Sequence, residues 1–285
     1  LKNFLKDKPK MSKMGEFQQL QEIDGLEISA VSADLYGTGR DDLCLFYFKD
    51  GANYGAVYTN NSICSESITW NRSIRKKTIK ALLVNTKNAN TFTGSQGQEG
   101  LESLSKTLAK NLTLKEAQKE DGTTNVVKKN EILFASTGVI GEKFPTQQIK
   151  GNIPDLVDKL RDRHNKFVWF KAASSIMTTD TRPKLAYEEC RLWNKDIRLC
   201  GIAKGSGMIS PNLGTMLSFV FTDADIPSIY LKSLLKRAVT NSFNSITVDS
   251  DTSTNDMVAI FSTNKVKTGK IYNVLDPKLK DFESA

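Results

Sequence analysis

Histidine is almost missing from this chain: His164 is the only one in 285 residues, and it sits in the charged string Arg161–Lys166 (RDRHNK). A Ser-His-Asp or Cys-His mechanism would have to run through that one imidazole. Its neighbours place it on an exposed helical face, which argues against a histidine-based nucleophile. The same scarcity argues against a zinc site, which draws on clustered His and Cys, so no metal is expected. Cysteine is thin as well. Cys44, Cys64, Cys190 and Cys200 show no paired spacing, and the lysine-rich start, Leu1–Gly15, lacks the apolar stretch of a secretory signal. The four therefore read as reduced thiols in a cytosol or organelle matrix. No apolar run approaches the roughly 20 residues needed to cross a bilayer, so no membrane partner is expected.

What is present is ordinary globular composition, with 39% hydrophobic and 25% charged residues, enough to bury a core in one large domain or two. The net charge of +8 comes mostly from scattered lysines, and Arg72–Lys80 (RSIRKKTIK) is the only dense basic cluster. It lacks interleaved aromatics, so a solvated basic face is expected rather than nucleic-acid binding. Two glycine pairs fall short of phosphate-loop patterns. Gly37-Thr38-Gly39 has no third glycine, and Gly205-Ser206-Gly207 follows Lys204 instead of preceding it. Both read as turns.

Short apolar runs predict buried strands at Leu43–Phe48, Ala81–Val84, Ile132–Ala135, Phe167–Phe170, Met216–Phe221 and Val258–Phe261. Helical spacing appears in Leu101–Lys119, where Leu104, Leu108, Leu112 and Ala117 share a side. It appears again in Ile153–Asn165, with Pro154 in the first turn, and in Ile226–Phe243, after Asp223 and Asp225. Asp121–Asn130 reads as a loop. The mixture lacks a regular βαβ rhythm and predicts a layered α/β (α+β) fold.

Ala203–Phe221 (AKGSGMISPNLGTMLSFVF) is the most unusual segment. Small and turn-forming residues lead to Gly214, and Thr215 then opens an apolar strand. A hydroxyl residue after glycine at a strand start suits an enzyme that cuts before its nucleophile. The freed α-amine then serves as general base, so no histidine is needed. Taken alone, the same pattern describes a turn feeding a core strand, which is the commoner arrangement. In Ile132–Pro145 a buried strand ends at Ser136-Thr137-Gly138, where a hydroxyl and an amide could form an oxyanion hole or a plain strand-to-turn junction. Lys204 in its loop is either a cation for a substrate carboxylate or a solvated side chain. The hydroxyl clusters Ser175–Pro183 (SIMTTDTRP) and Asp249–Asp256 (DSDTSTND) suit a polar ligand or ordinary turn chemistry.

Six segments in order resemble the ornithine acetyltransferase family, also called bifunctional glutamate N-acetyltransferase. They are Gly39–Leu45 (GRDDLCL), Val84–Gly94 (VNTKNANTFTG), Ser136–Gly141 (STGVIG), Ile176–Lys184 (IMTTDTRPK), Ala203–Leu217 and Asp251–Asp256 (DTSTND). The resemblance implies a layered sheet-and-helix sandwich of the ornithine acetyltransferase and DmpA type, similar to N-terminal-nucleophile enzymes and shared with an aminopeptidase branch. It implies self-cleavage between Gly214 and Thr215, giving an α portion (1–214) and a β portion (215–285) that assemble as a heterotetramer of two α and two β chains. It also implies a ping-pong cycle in arginine biosynthesis: Thr215 takes acetyl from N-acetylornithine and passes it to glutamate, with no cofactor. Some members also use acetyl-CoA as donor. Thr137 and Gly138 then take the oxyanion-hole role, while Thr178 and Lys204 contact substrate, alongside Thr215. The implied location is cytoplasmic, or the mitochondrial matrix in a eukaryote. Alternatives are a self-cleaving amidase of the related branch and an inactive paralogue. Three departures stand out: Gly214 replaces alanine, Lys87 replaces a glycine and is expected to alter a local turn, and the chain stops at Ala285, short of the family's C-terminal region.

Overall fold

The computed structural model describes residues 20–117, 125–207, 216–248 and 252–285. Its organising element is the long strand β2 (Leu43–Tyr58). β2 pairs antiparallel with β1 (Leu26–Val31) and with β3 (Thr78–Asn85), which pairs in parallel with β4 (Ile132–Ser136). Its register with β3 breaks between Tyr47 and Ala52, and from Asn53 to Tyr58 it pairs with β8 (Met257–Val266). The sheet continues through β7 (Leu217–Ala224), β6 (Lys195–Lys204) and β5 (Lys184–Leu192), in the order β4-β3-β2-β8-β7-β6-β5.

Strand side chains alternate between faces, and here the alternation sorts the core into layers. Cys44, Phe46 and Phe48 of β2 face inward against Phe219 and Phe221 of β7 and Phe261 of β8. The rings of Phe46 and Phe221 lie 4.7 Å apart, and those of Phe48 and Phe261 lie 5.1 Å apart. Leu43, Leu45 and Tyr47 point the other way, against helices α2 (Gly94–Ala117) and α3 (Thr146–Asp158). On the far side, Val258 and Ile260 meet α5 (Ser228–Thr240) and the short C-terminal helix α6 (Lys280–Ser284). The result is helix, sheet, sheet, helix, with the sheet folded over along β2. Two further helices flank the sandwich: α1 (Glu66–Ser73) and α4 (Lys166–Ser175).

Five of the six expected strands are present. Phe167–Phe170 is helix α4 instead. Asn165 caps it by accepting the Phe167 and Val168 amides at 2.9 and 3.2 Å, and only Trp169 of the aromatic run is buried. The helix expected over Ile153–Asn165 begins earlier, at Thr146, so Pro154 lies inside it, and the helix ends at Asp158. In α2 the buried stripe runs through Leu101, Leu104, Leu108 and Leu112 but then to Glu116, not Ala117. Glu116 accepts a hydrogen bond from Tyr47 at 2.7 Å. α5 starts at Ser228; Asp223 lies within β7, where it accepts the Arg198 amide at 3.0 Å.

His164 is not on an exposed helical face. It is 3% exposed, edge-on to Trp169 at 5.5 Å, and the Ile23 amide donates to Nδ1. Burial pushes its pKa down to about 4. The expected exposure does not hold because packing against Trp169 buries the ring, and His164 is not among the residues lining the cavity described below. The four cysteines are free thiols.

Candidate active site

The two parallel strand pairs end on one another. β3 and β4 finish together with Asn85 opposite Ser136, and β7 and β8 start together with Leu217 opposite Met257. Segments far apart in sequence therefore meet where these ends converge. The Asn255 side chain ties them: its Nδ2 donates to the carbonyls of Ala89 at 2.6 Å and Ser136 at 2.8 Å, and its Oδ1 accepts from Thr91 at 2.9 Å. Ser136 in turn donates to Asn85 Oδ1 at 2.7 Å and shares a 2.7 Å contact with Ser67 of α1. Arg40 reaches across to the Met177 carbonyl at 2.7 Å, and the Asp42 carboxylate accepts the Ala33 and Leu35 amides, each at 2.7 Å.

A cavity of about 350 Å³ opens at this junction, lined in part by Tyr36, Thr137, Gly138, Thr178, Thr179 and Lys204. Thr137 is 1% exposed and Lys204 2%. Lys204 is the last residue of β6, not a solvated loop lysine, and its Nζ donates to Thr137 Oγ1 at 2.9 Å. An ammonium has only protons to offer, so the Thr137 hydroxyl accepts here and keeps its own proton for another acceptor. Burial lowers the Lys204 pKa to about 8, with Asp180 pulling the other way.

Gly138 has φ of +133°, and a Cβ there would lie 2.2 Å from the Lys87 carbonyl carbon, so no side chain fits. The Thr137 and Val139 amides are spent on the Asn85 and Lys87 carbonyls, at 3.1 and 2.9 Å. The Gly138 amide between them has no acceptor among the described residues. Lys87 itself holds a left-handed conformation at φ +71°, the geometry a glycine takes without strain.

Thr178 and Thr179 both reach the cavity, but the Thr179 hydroxyl is engaged with Ser206 at 2.9 Å. The Thr178 amide donates to Asp180. Asp180 is buried, which works against its ionised form, but Lys184 and the Gly205 amide hold its pKa below the usual value. Asp256 was not singled out by sequence reasoning beyond its motif. It is fully buried, its Oδ1 accepts the Met216 amide at 2.8 Å, and its Oδ2 has no partner among the described residues. Burial raises its pKa to about 7. Gly214 and Thr215 lie outside the described residues; Met216, the next residue along the chain, is described. Among the described residues no group of His, Cys, Asp and Glu is arranged to hold a metal ion.

The sequence profile of the ArgJ family matches residues 27–285. The chain belongs to the ArgJ family. Among its ArgJ relatives is the arginine biosynthesis bifunctional protein of Gluconobacter oxydans, 40% identical over 267 residues. Another is that of Bartonella quintana, 39% identical over 251 residues. These alignments take in 93% and 88% of this chain but 59% and 57% of the relatives, so the chain spans under two thirds of their length. A crystal structure of ArgJ from Bacillus halodurans superposes with a TM-score of 0.58 at 24% identity, covering 68% of this chain and 92% of that one. The L-aminopeptidase D-Ala-esterase/amidase of Ochrobactrum anthropi, described as a variant of the Ntn hydrolase fold, superposes at 0.56 with 10% identity. It covers 95% of this chain and 84% of that one. The expected family and the expected layered fold thus both hold, and all six of the motif segments contribute described residues to the walls of one cavity or to the ties between them. Ala203–Leu217 contributes Lys204 and Gly207 to that cavity and Met216 to the Asp256 contact.

Proposed function

We propose that this chain carries the acyl-transfer apparatus of an enzyme that moves acetyl from N-acetylornithine to glutamate, using Thr215 as nucleophile after cleavage between Gly214 and Thr215. The observation that carries the reading is the Lys204–Thr137 contact at the cavity wall. A hydroxyl that accepts from a buried ammonium is polarised and oriented to donate, beside an amide, Gly138, with no other acceptor. These are the donors a tetrahedral oxyanion requires.

The cycle follows. Thr215 Oγ attacks the acetyl carbonyl and gives its proton to its own α-amine. The Thr137 hydroxyl and Gly138 amide receive the oxyanion. The C–N bond breaks, and the departing amine takes the proton as ornithine leaves. The glutamate amine then attacks the acetyl-threonine, N-acetylglutamate departs, and the Thr215 hydroxyl is restored. Lys204 acts through Thr137 in this scheme and adds positive potential to the cavity, which favours carboxylate-bearing substrates. Thr178, whose hydroxyl has no partner among the described residues, is the substrate contact. The relatives' name, a bifunctional protein of arginine biosynthesis, supports the same reading. By extension, acetyl-CoA serves as a second donor, the two pieces assemble as an α2β2 heterotetramer, and the enzyme works in the cytoplasm.

Intact mass spectrometry tests the nucleophile: two pieces meeting at Gly214/Thr215 in the wild type, and one 31.7 kDa species in Thr215→Ala. Turnover tests the transfer. Ornithine release from N-acetylornithine should depend on glutamate and yield N-acetylglutamate; release that ignores glutamate would make the enzyme an amidase. Thr137→Ala should lower kcat about 100-fold, the usual cost of one oxyanion donor.

A further inference from the structure

The dense basic segment Arg72–Lys80 plays no part in the site above. In the fold its Arg72, Arg75, Lys76 and Lys77 form one wall of a groove of about 820 Å³ at the C-terminal end of α1. The floor is the end of β2, from Tyr54 to Tyr58, and the facing wall is α5. Among the described residues, six cationic side chains line it, Arg72, Arg75, Lys76, Lys77, Lys232 and Lys236, and no carboxylate does.

Among the described residues only one of them has a carboxylate partner. Lys76 meets Glu131 at 3.6 Å, and Arg72 is spent on the Thr59 carbonyl and the Cys64 sulfur. Arg75, Lys77, Lys232 and Lys236 make no ion pair among the described residues. Lys232 and Lys236 are exposed one turn apart on α5, a like-charge spacing that destabilises a helix unless a counter-charge sits between them. The groove is held in this shape by close packing: a Cβ on Gly55 would lie 2.6 Å from the Lys232 amide nitrogen, so the helix rides directly on the strand. The cations from α1, the turn after it and α5 therefore line one recess. A recess suits a compact anion, whereas a stripe suits a nucleic-acid backbone. Tyr54 and Tyr58, half-buried in the floor, and the exposed Ile229 at the rim add flat and apolar surface beside the charge.

We infer that this groove is a binding site for a small molecule carrying two or more linked phosphates, held by Arg75, Lys77, Lys232 and Lys236. The site is independent of the acetyl-transfer reading, because none of its residues touches that cavity.

Isothermal titration calorimetry of this chain with pyrophosphate and with ADP reads it directly. Both should bind saturably, with AMP and inorganic phosphate at least tenfold weaker, and affinity should fall as salt rises from about 50 to 200 mM. ADP binding above pyrophosphate would identify a nucleotide as the ligand, and equal binding would identify the phosphate chain alone. Lys232→Glu/Lys236→Glu and Arg75→Glu should each lose at least tenfold in affinity. Lys110→Glu/Lys195→Glu, an equal charge change outside the groove, should not. Lys232→Gln/Lys236→Gln, which removes charge without reversing it, should show an intermediate loss and covers the case in which the glutamate pair fails to fold. Absence of saturable binding by either probe overturns the inference, as does equal weakening by the Lys110/Lys195 pair. Single-stranded RNA that binds and is not displaced by ADP also overturns it, in favour of a nucleic-acid surface.

Discussion

At the scale of single residues, the site depends on polar groups whose burial changes what they are. Asp256 is the clearest case, with a pKa raised to about 7 from an ordinary 3.8. The folded state therefore holds a proton on Asp256 that the unfolded state has already lost between about pH 4 and pH 7. Its contribution to stability is fully present below that window and is lost as pH rises through it. Asp256→Asn keeps an acceptor for the Met216 amide and has no proton to lose. Urea unfolding should show the variant gaining on the wild type between pH 4.5 and pH 8; an unchanged difference would mean the carboxyl is ionised throughout. Sequence made the motif around Asp256 visible but not its burial, because DTSTND is equally good turn chemistry. Lys204 was misplaced for a related reason. A lysine beside glycines reads as solvated, and only the pairing of β6 with β7 puts it against Thr137.

At the scale of elements, the strands that were legible are short, nearly continuous apolar runs, and β1 and β5 were missed because polar residues interrupt theirs. β1 buries Glu27 between Lys49 and Lys115, at 3.3 and 3.4 Å, and Ser29 against the Leu156 carbonyl at 2.6 Å. Its apolar residues do alternate with polar ones over Leu26–Ala30, but the run holds only three apolar residues on that face, and the polar positions are buried as well. β5 fails the other way. It lies mostly exposed, with little apolar signal for any face. Helix α4 was taken for a strand because a run of four apolar residues fits either period, and the Asn165 cap decides it. The packing of α5 on β2 makes a test at this scale. Gly55→Ala forces a Cβ into the backbone of Leu231 and Lys232. It should cost about 1–3 kcal/mol by chemical denaturation, the usual penalty for overpacking. A loss within error of zero would mean that α5 shifts freely over the sheet.

At the scale of the whole molecule, the proposed cut falls between β6 and β7, which are neighbouring hydrogen-bonded strands, and β8 of the downstream piece pairs with β2 of the upstream one. Cleavage thus breaks one peptide bond and leaves two strand pairings and the phenylalanine core between the pieces intact. The cleaved protein should elute as one species in gel filtration and separate only in denaturant; two native peaks would contradict the pairing. Family and fold were readable in advance because the six motif segments lie along most of the chain, but their convergence on one cavity was not, since it depends on parallel pairs joined by distant crossovers. The bend in β2 has one more consequence. The strand gives its first half to one sheet layer and its last six residues to the other, so neither layer can open without unzipping a strand the other needs. The outer helices can fray on their own, but the two layers share a single melting event, and the most slowly exchanging amides should trace β2 from end to end.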